Sequence, residues 1–382
     1  FSGNVGVRYA DTKREASGFQ TFEFQEFTTE AECANVPPGE SPTPFCSLPL
    51  DVREDARAYA NGAITPYTAT LDEDYWLPSI NLKLEVSDGV QFRAAYFKGL
   101  APPDFGLTRA FYNVNLGVEA EDIEAGGGRP IGRFEAGNPF LKPVESDSLD
   151  LTFEWYFSEV GQLSFAVFYK ELEDIRTNDI QRLTFTNNGA SFDAIVTTAV
   201  NSEETGKIKG AELAYQQTYD FLPGILNGLG LSANYTYVDS QNVPQSTLSE
   251  TDPDVSAGNQ STVDISLLPL EGLSQHTINF APFYDYGDWS ARIAYSWRDE
   301  FLLTIRDVIV PFQPIMNEAT GQLDGSVFYS VSDQWKVGIQ GVNLLNETIR
   351  TSAVVNDDLL TAPRSWFMND RRFSLIVRGH FE

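Results

Sequence analysis

The side chains most often used in catalysis and metal binding are unevenly represented in this sequence. Histidine occurs twice, at His276 and His380, and both residues fall in stretches that alternate like strands. The sequence therefore has too few histidines in suitable positions to favour a Ser-His-Asp triad or a His-rich metal centre. Carboxylates are abundant, so clusters such as Glu119–Glu124 leave glycosidase chemistry open by composition, but a solvated acidic loop is the simpler interpretation. We predict that the chain is not an enzyme.

The acidic clusters also suit calcium, which prefers carboxylate and carbonyl oxygens as ligands. The spacing of an EF-hand loop is absent, however. Gly126–Gly128 does not follow a strand with a helix behind it, as a phosphate-binding loop would. We predict neither a metal nor a cofactor.

The two cysteines, Cys33 and Cys46, lie in a stretch rich in Pro, Glu and Ser, with no His nearby to complete a zinc site. We interpret them as a disulfide that closes this loop, and two separate reduced thiols are the alternative. A disulfide would place the chain in an oxidising compartment, which means the periplasm, the cell surface or the outside.

The charge balance excludes further classes. The 382 residues include 54 Asp and Glu against 26 Lys and Arg, a formal net charge of −28. Binding to phosphates depends on Lys and Arg displacing counterions, so nucleic acid is not an expected partner. No apolar run approaches the ~20 residues that a membrane-spanning helix needs, whereas a barrel strand needs only about ten alternating residues.

In much of the sequence apolar and polar side chains alternate with a period of two residues, which predicts β-strands. Between Asp288 and Arg298, large apolar side chains alternate with Ser and Arg, and similar runs occur at 148–157, 229–237 and 373–381. We count about twelve such strands. Aromatic residues near strand ends on the apolar register are candidates for an interfacial girdle: Tyr96, Trp155, Phe157, Tyr169, Tyr235, Tyr237, Tyr284, Tyr286, Trp289, Trp297 and Trp335.

Short and long connections alternate along the chain. The short ones are turns such as Ser87–Gly89, and the long ones are polar segments, which we interpret as structureless loops: 29–74, 99–145, 176–205, 240–272, 302–322 and 346–365. Such loops are uncommon in compact soluble domains, whereas outer-membrane barrels have short periplasmic turns and long extracellular loops. We therefore predict an all-β transmembrane antiparallel barrel. A soluble β-sandwich or propeller is the alternative.

Seven segments occur in order along the chain: GNVGVRY at 3–9, YWLPSINL at 75–82, RAAY at 93–96 with LAPP at 100–103, GNPFLKP at 137–143, GKIKGAELAY at 206–215, NLLN at 343–346 and a closing strand that reaches Phe381. Each is weak by itself, but in this order they resemble TonB-dependent outer-membrane receptors, in particular the branch associated with uptake of carbohydrates and other scarce nutrients. The resemblance covers nearly the whole chain. Here Glu382 follows Phe381, whereas the family usually ends on the aromatic residue.

The resemblance implies that residues 1–382 form the C-terminal part of a barrel of about 22 strands, with the plug and the first strands outside this chain. A self-contained barrel of about 12 strands is the alternative. As partners it implies TonB and its inner-membrane energising complex, reached through a TonB box in the missing N-terminal region, outer-membrane lipid, and in some cases a surface lipoprotein. The expected location is the outer membrane of a Gram-negative bacterium, with the loops extracellular and the C-terminus periplasmic.

Ligand recognition is expected in the long loops and the polar lumen. Sugars stack on aromatic rings and bond to Asp, Asn and Arg, and the loop inventory favours such a small-molecule or oligosaccharide ligand over a ferric siderophore. An adhesin role and a barrel-embedded hydrolase are further alternatives. The candidate ligand-binding residues are Arg109, Phe111, Tyr112, Asn113, Arg298, Asp299, Asn356, Asp357, Arg364 and Trp366.

Overall fold

The computed structural model describes residues 1–37, 39–243, 263–264, 268–307 and 313–380. The strands are β1 Ser2–Phe22, β2 Ile64–Ser87, β3 Val90–Ala101, β4 Tyr112–Val114, β5 Gly132–Ala136, β6 Val144–Tyr156, β7 Gln162–Glu173, β8 Arg176–Asn187, β9 Ala190–Asn201, β10 Gly206–Thr218, β11 Leu229–Gln241, β12 His276–Tyr286, β13 Trp289–Arg298, β14 Phe301–Thr304, β15 Ile315–Asn317, β16 Thr320–Ser330, β17 Trp335–Val342, β18 Thr348–Val354, β19 Thr361–Met368 and β20 Arg372–Gly379. The helices are α1 Glu30–Ala34, α2 Leu50–Tyr59 and α3 Ala120–Ala125, with 3₁₀ turns at Pro44–Ser47 and Gly224–Gly228. None of the described helices is long and apolar enough to cross a bilayer. Phe381 and Glu382 lie outside the described residues, as does much of the fourth long connection.

One large sheet organises the molecule. It has 13 strands in the order β20-β17-β16-β13-β12-β11-β10-β7-β6-β3-β2-β1-β4, and all neighbours are antiparallel except the short β4, which runs parallel to β1. The strands other than β4 follow one another up and down, joined alternately by short turns and long connections. This is the architecture of a barrel wall, and the prediction of an all-β barrel is confirmed.

The two faces of the sheet differ as the alternation predicts. Phe280 pairs with Tyr295, and both lie on an apolar face that runs across the sheet, where Ile293 is 52% exposed. The opposite face is polar. On it, Asn279 donates to Asn234 Oδ1 at 2.9 Å and accepts from Ser296 Oγ at 2.7 Å. A bilayer would cover the first face and leave the second toward the lumen.

The described parts of the long connections are not structureless, and for them that interpretation was wrong. They fold into two packed units at one end of the large sheet. The first cap comprises residues 23–63, 102–143 and 174–205, and it contains α1–α3 and the sheet β5-β9-β8. The second cap comprises the described parts of 242–275, 299–319 and 343–371, and it contains the sheet β14-β15-β18-β19. Each cap has its own cluster of buried apolar side chains. Burial of this apolar surface stabilises the folded cap, and an isolated loop has no such contribution.

The first cap continues directly from the large sheet. β1 and β2 are 21 and 24 residues long and stay paired from Ser2 with Lys83 to Thr21 with Ile64. At the upper end β4 lies against the other side of β1. This close approach requires Gly18, because a Cβ there would lie 2.1 Å from the carbonyl oxygen of Ala110.

Candidate functional site

The first cap is built around three aromatic rings from different elements. Tyr59 of α2 is 1% exposed and packs edge-to-face against Phe22 at the end of β1 and Phe192 of β9, with ring centroids 5.1 Å apart in both pairs. Burial raises the pKa of Tyr59. The amide of Asn187 also donates to the Tyr59 carbonyl at 2.6 Å. These contacts lock the first and third long connections together.

A disulfide and a carboxylate hold the outer part of this cap. Cys33 and Cys46 are bonded, with their Cα atoms 5.3 Å apart, which confirms the disulfide interpretation. Glu30 accepts from Arg53 Nε at 2.9 Å and from Arg57 Nη1 at 2.7 Å. Hydrogen bonds from Arg53 and then Arg57 lower the pKa of Glu30 to about 2. The carboxylate therefore stays charged and ties α1 to α2.

Four of the predicted ligand-binding residues lie together in the first cap. Arg109 is exposed, and its Nε donates to a backbone carbonyl three residues earlier at 2.9 Å. Phe111 is 44% exposed. Tyr112 is half-buried in β4, and burial raises its pKa to about 12, while Asn113 Oδ1 accepts from Thr21 Oγ1 at 2.8 Å. Arg109 and Phe111 are accessible to a ligand. Asn113 is also exposed but is bonded to β1, and the ring of Tyr112 packs against Tyr67 and Phe185.

The GNPFLKP segment has a structural role beneath these residues. Arg14 of β1 donates to the carbonyl of Pro139 at 3.0 Å and also to that of Leu141, whose side chain is fully buried. The amide nitrogen of Asn138 donates to the Ala199 carbonyl at 3.0 Å. The segment therefore fastens the second long connection to the large sheet and to β9.

The second cap is held by a buried ion pair. Arg364 of β19 donates through Nε and Nη2 to the two carboxylate oxygens of Asp307, both at 2.7 Å. The side chains of Arg364 and Asp307 are 15% and 6% exposed, and the carboxylate raises the pKa of Arg364. Trp366, two residues further on, is 61% exposed. Of these two predicted residues, Trp366 is available to a ligand and Arg364 is engaged in the fold.

The turn between β18 and β19 contains two more predicted residues. Asn356 Oδ1 accepts from the backbone N–H of Leu360 at 3.1 Å, and Asp357 Oδ1 accepts from that of Asp264 at 2.7 Å. Both side chains therefore shape the backbone around them. The NLLN segment acts similarly at the base of this cap, where Asn343 Oδ1 accepts from the Glu347 N–H at 2.8 Å.

A pocket of about 220 Å³ lies where the large sheet meets the second cap. Asp299, one of the predicted residues, lines it together with Asp239 and Glu300, and Met316 and Val354 supply apolar surface. A pocket with this lining can hold a ligand that has both polar and apolar faces.

Arg298 lies beside this pocket but is held in place by its neighbours. Its guanidinium is 3.8 Å from the ring centroid of Phe301, and its Nε donates to Ser274 Oγ at 2.8 Å. Sequence reasoning missed Asp239, Glu300 and Met316 as pocket residues. No local signal identifies them, because the pocket is assembled from segments that are far apart in the sequence, among them β11, β15, β18 and the residues before β14.

Part of the cationic charge of the caps is paired with carboxylates. Six arginines form such pairs: Arg53, Arg57, Arg129, Arg133, Arg182 and Arg364. Hydrogen bonds from Thr184 and then Arg182 hold the pKa of Asp193 below its usual range. Acidic residues outnumber basic ones about two to one in the whole chain, so the surface that remains for a ligand is neutral to acidic. The described residues contain no cluster of three or more His, Cys, Asp or Glu side chains arranged to hold a metal ion.

Comparison with known families and structures agrees with this architecture. Residues 1–344 match the family model described as "TonB dependent receptor-like, beta-barrel". The chain therefore belongs to this family. No curated protein sequence matches the chain.

Solved structures of similar fold include receptors of distant sequence. The ferric-catecholate import receptor Fiu of E. coli K12 is 13% identical over 99% of this chain, with a TM-score of 0.55. The siderophore receptor PirA of Acinetobacter baumannii is 15% identical over 82%, and a mutant of the ferric enterobactin receptor PfeA of Pseudomonas aeruginosa is 13% identical over 83%, both with TM-scores of 0.52. The chain covers only 42–43% of the lengths of these proteins. At this level of identity the likeness concerns the fold.

Proposed function

We propose that this chain is the C-terminal barrel part of an active transporter in the outer membrane of a Gram-negative bacterium. The transporter captures a scarce nutrient, an oligosaccharide, at the capped end and imports it into the periplasm. The observation that carries the proposal is the pair of folded caps at one end of a barrel wall. In outer-membrane barrels long connections are extracellular and short turns periplasmic, so the caps face outward and the C-terminus faces the periplasm.

Import of this kind requires energy that the described wall does not supply. We assign that role to TonB and its inner-membrane complex, acting through a TonB box and a plug outside this chain. The plug would lie against the polar face, and outer-membrane lipid would cover the apolar face. A surface lipoprotein is a further partner that could close over the caps.

The charge distribution supports an oligosaccharide. Six cap arginines are paired with carboxylates, and acidic residues outnumber basic ones about two to one in the whole chain. An anionic ferric siderophore would therefore meet a net acidic surface, which repels it. A neutral sugar meets no such penalty. Phe111 and Trp366 offer exposed rings for stacking, and Arg109 and Asp299 offer polar groups at the cap surfaces.

A ferric-siderophore receptor of the same fold is the second candidate. The receptors PirA and PfeA carry names that indicate such ligands, and Arg109 is an exposed cation on the first cap. This alternative predicts that binding weakens strongly with added salt, because it would depend on charge.

Titration calorimetry on the complete protein separates the two candidates. A panel of neutral oligosaccharides and a ferric catecholate are the probes. We expect one oligosaccharide to bind, Phe111→Ala and Trp366→Ala to weaken it about fivefold or more through lost stacking, and Leu345→Ala, a change at another exposed apolar residue of the second cap, to leave it unchanged. Binding of the ferric catecholate alone would replace the first candidate with the second.

A further inference from the structure

A depression interrupts the apolar face of the large sheet at Ala94. This residue pairs with Leu82 of β2 on one side and with Leu151 of β6 on the other. Along β3 the next residues on the same face are Phe92 and Tyr96. A methyl group is therefore surrounded by four larger side chains, and the wall is recessed at this point.

The recess is part of a groove of about 390 Å³ that extends from Phe1, next to the start of β1, to β7. Its walls come from two adjacent rows of directly paired residues, Leu84, Phe92, Phe153 and Phe165 in one row and Leu82, Ala94, Leu151 and Val167 in the other. The rings of Phe92 and Phe153 lie 5.2 Å apart and are tilted by 49°. Since a cavity of about 150 Å³ is enough for benzene, this groove has room for a longer hydrocarbon.

The position of the groove determines what can fill it. Ala94 lies four residues from Val90, where β3 begins after a short turn. Val90 pairs with Trp155, an aromatic residue of the kind that marks a membrane interface. The groove therefore lies just inside the hydrocarbon, near the short-turn end, where neither water nor a sugar is available as an occupant.

We propose that this groove binds one acyl chain of a glycerophospholipid from the periplasmic leaflet. The leaflet assignment rests on the orientation given under the proposed function. Within a bilayer, lipid and protein surfaces are equally apolar, so the bound chain is retained by close packing. A groove bounded by rings and branched side chains offers more atomic contacts than a flat strand surface does.

Ala233 of β11 provides a matched control. It also lies on the apolar face, four residues from the start of its strand at Leu229, and it pairs with Tyr215 and Phe280. It does not line the groove. Ala94→Trp should fill the groove, whereas Ala233→Trp adds the same side chain at the same depth elsewhere.

Native mass spectrometry of the complete protein, purified from outer membranes in mild detergent, tests the proposal. We expect wild type and Ala233→Trp to retain one glycerophospholipid and Ala94→Trp to retain at least tenfold less. Heat-modifiable electrophoretic mobility checks folding, and Ala94→Leu, a smaller filling change, replaces Ala94→Trp if that variant does not fold. Equal retention by the Ala94 variant, or retention of lipopolysaccharide alone, overturns the proposal. Oligosaccharide binding is measured on the same samples, so failure of the proposed function is seen separately.

Discussion

Loss of the disulfide should loosen the first cap selectively. Cys33 and Cys46 are 13 positions apart, and the segment between them runs from α1 to the 3₁₀ turn that precedes α2. In the chain-entropy treatment, a cross-link of this length disfavours the open state by about 3 kcal/mol at 25 °C. Because about 1.4 kcal/mol corresponds to a factor of ten, opening of this segment should become about 10²-fold more frequent.

Hydrogen exchange read out by mass spectrometry measures this opening. Residues 1–382 contain two cysteines, so within this chain a reductant acts on one bond, and the double variant Cys33→Ser/Cys46→Ser should reproduce its effect. Peptides covering 30–59 should exchange about 10²-fold faster, while β12 and β13 of the large sheet stay unchanged. Adding reductant to the double variant is the control and should have no effect.

Unchanged exchange in peptides 30–59 after reduction would refute the entropic reasoning. It would mean that the ring cluster around Tyr59 and the Glu30 ion pairs hold the segment closed by themselves. Faster exchange throughout the large sheet would also refute it, because the effect would then not be confined to the cap.

Three further predictions concern charged groups of the caps. Arg364→Ala should destabilise the second cap, because it removes the bidentate partner of the Asp307 carboxylate. Local exchange in β18 and β19 measures this, and unchanged exchange there would contradict it. The pKa of Glu30 is about 2 in the folded cap against an ordinary 4.5. The stabilising contribution of this carboxylate is therefore complete above pH 4.5 and is lost as the pH falls toward 2. Pepsin should cleave the wild-type protein increasingly as the pH falls through this window, and Glu30→Gln should lack that pH dependence. Arg182→Ala should change stability by about 0.5 kcal/mol or less, since its pair with Asp193 is exposed, and a larger loss in denaturant melts would show that this pair is structural.

The barrel wall could be predicted from the sequence because its signal is local. In β12 and β13 every second residue lies on the same face of the sheet. The face of Ile278 and Ile293 can therefore be predicted from the alternation alone, without knowing which residues they pair with. The short turns, such as the one at Gly287, carry equally local signals, here a glycine with positive φ. Strand pairing then follows because consecutive strands of a meander pair with each other.

The caps could not be predicted in the same way, although one of their elements had a local signal. β8 and β9 form a hairpin through Asn188 and Gly189, both with positive φ, and Asn-Gly is a strong hairpin signal. The alternation at Phe192, Ala194 and Val196 supports the same conclusion. The assignment of a polar loop was wrong here because the length of the connection was weighed above these signals.

The candidate site mixes predictable and unpredictable parts. Exposed residues such as Phe111 and Trp366 can be proposed from composition alone. Arg364 is held by an ion pair with Asp307, which is 57 positions away in the sequence. Neither the alternation nor any sequence motif predicts a pair between residues so far apart. The sequence therefore suggests candidate ligand-binding residues, but it does not separate exposed residues from those that are engaged in the fold.

The two caps are attached to the wall differently, and this constrains how capture can work. The first cap grows out of β1 and β2, which remain paired up to Thr21 and Ile64, and Arg14 fastens its second connection from below. Moving it as a lid would break strand pairing, so it acts as a fixed platform. The second cap is joined to β13 through two residues, Asp299 and Glu300, which also line its pocket. A change at this junction therefore alters the pocket and the attachment together, whereas a change at an exposed first-cap residue such as Phe111 leaves the attachment of that cap intact.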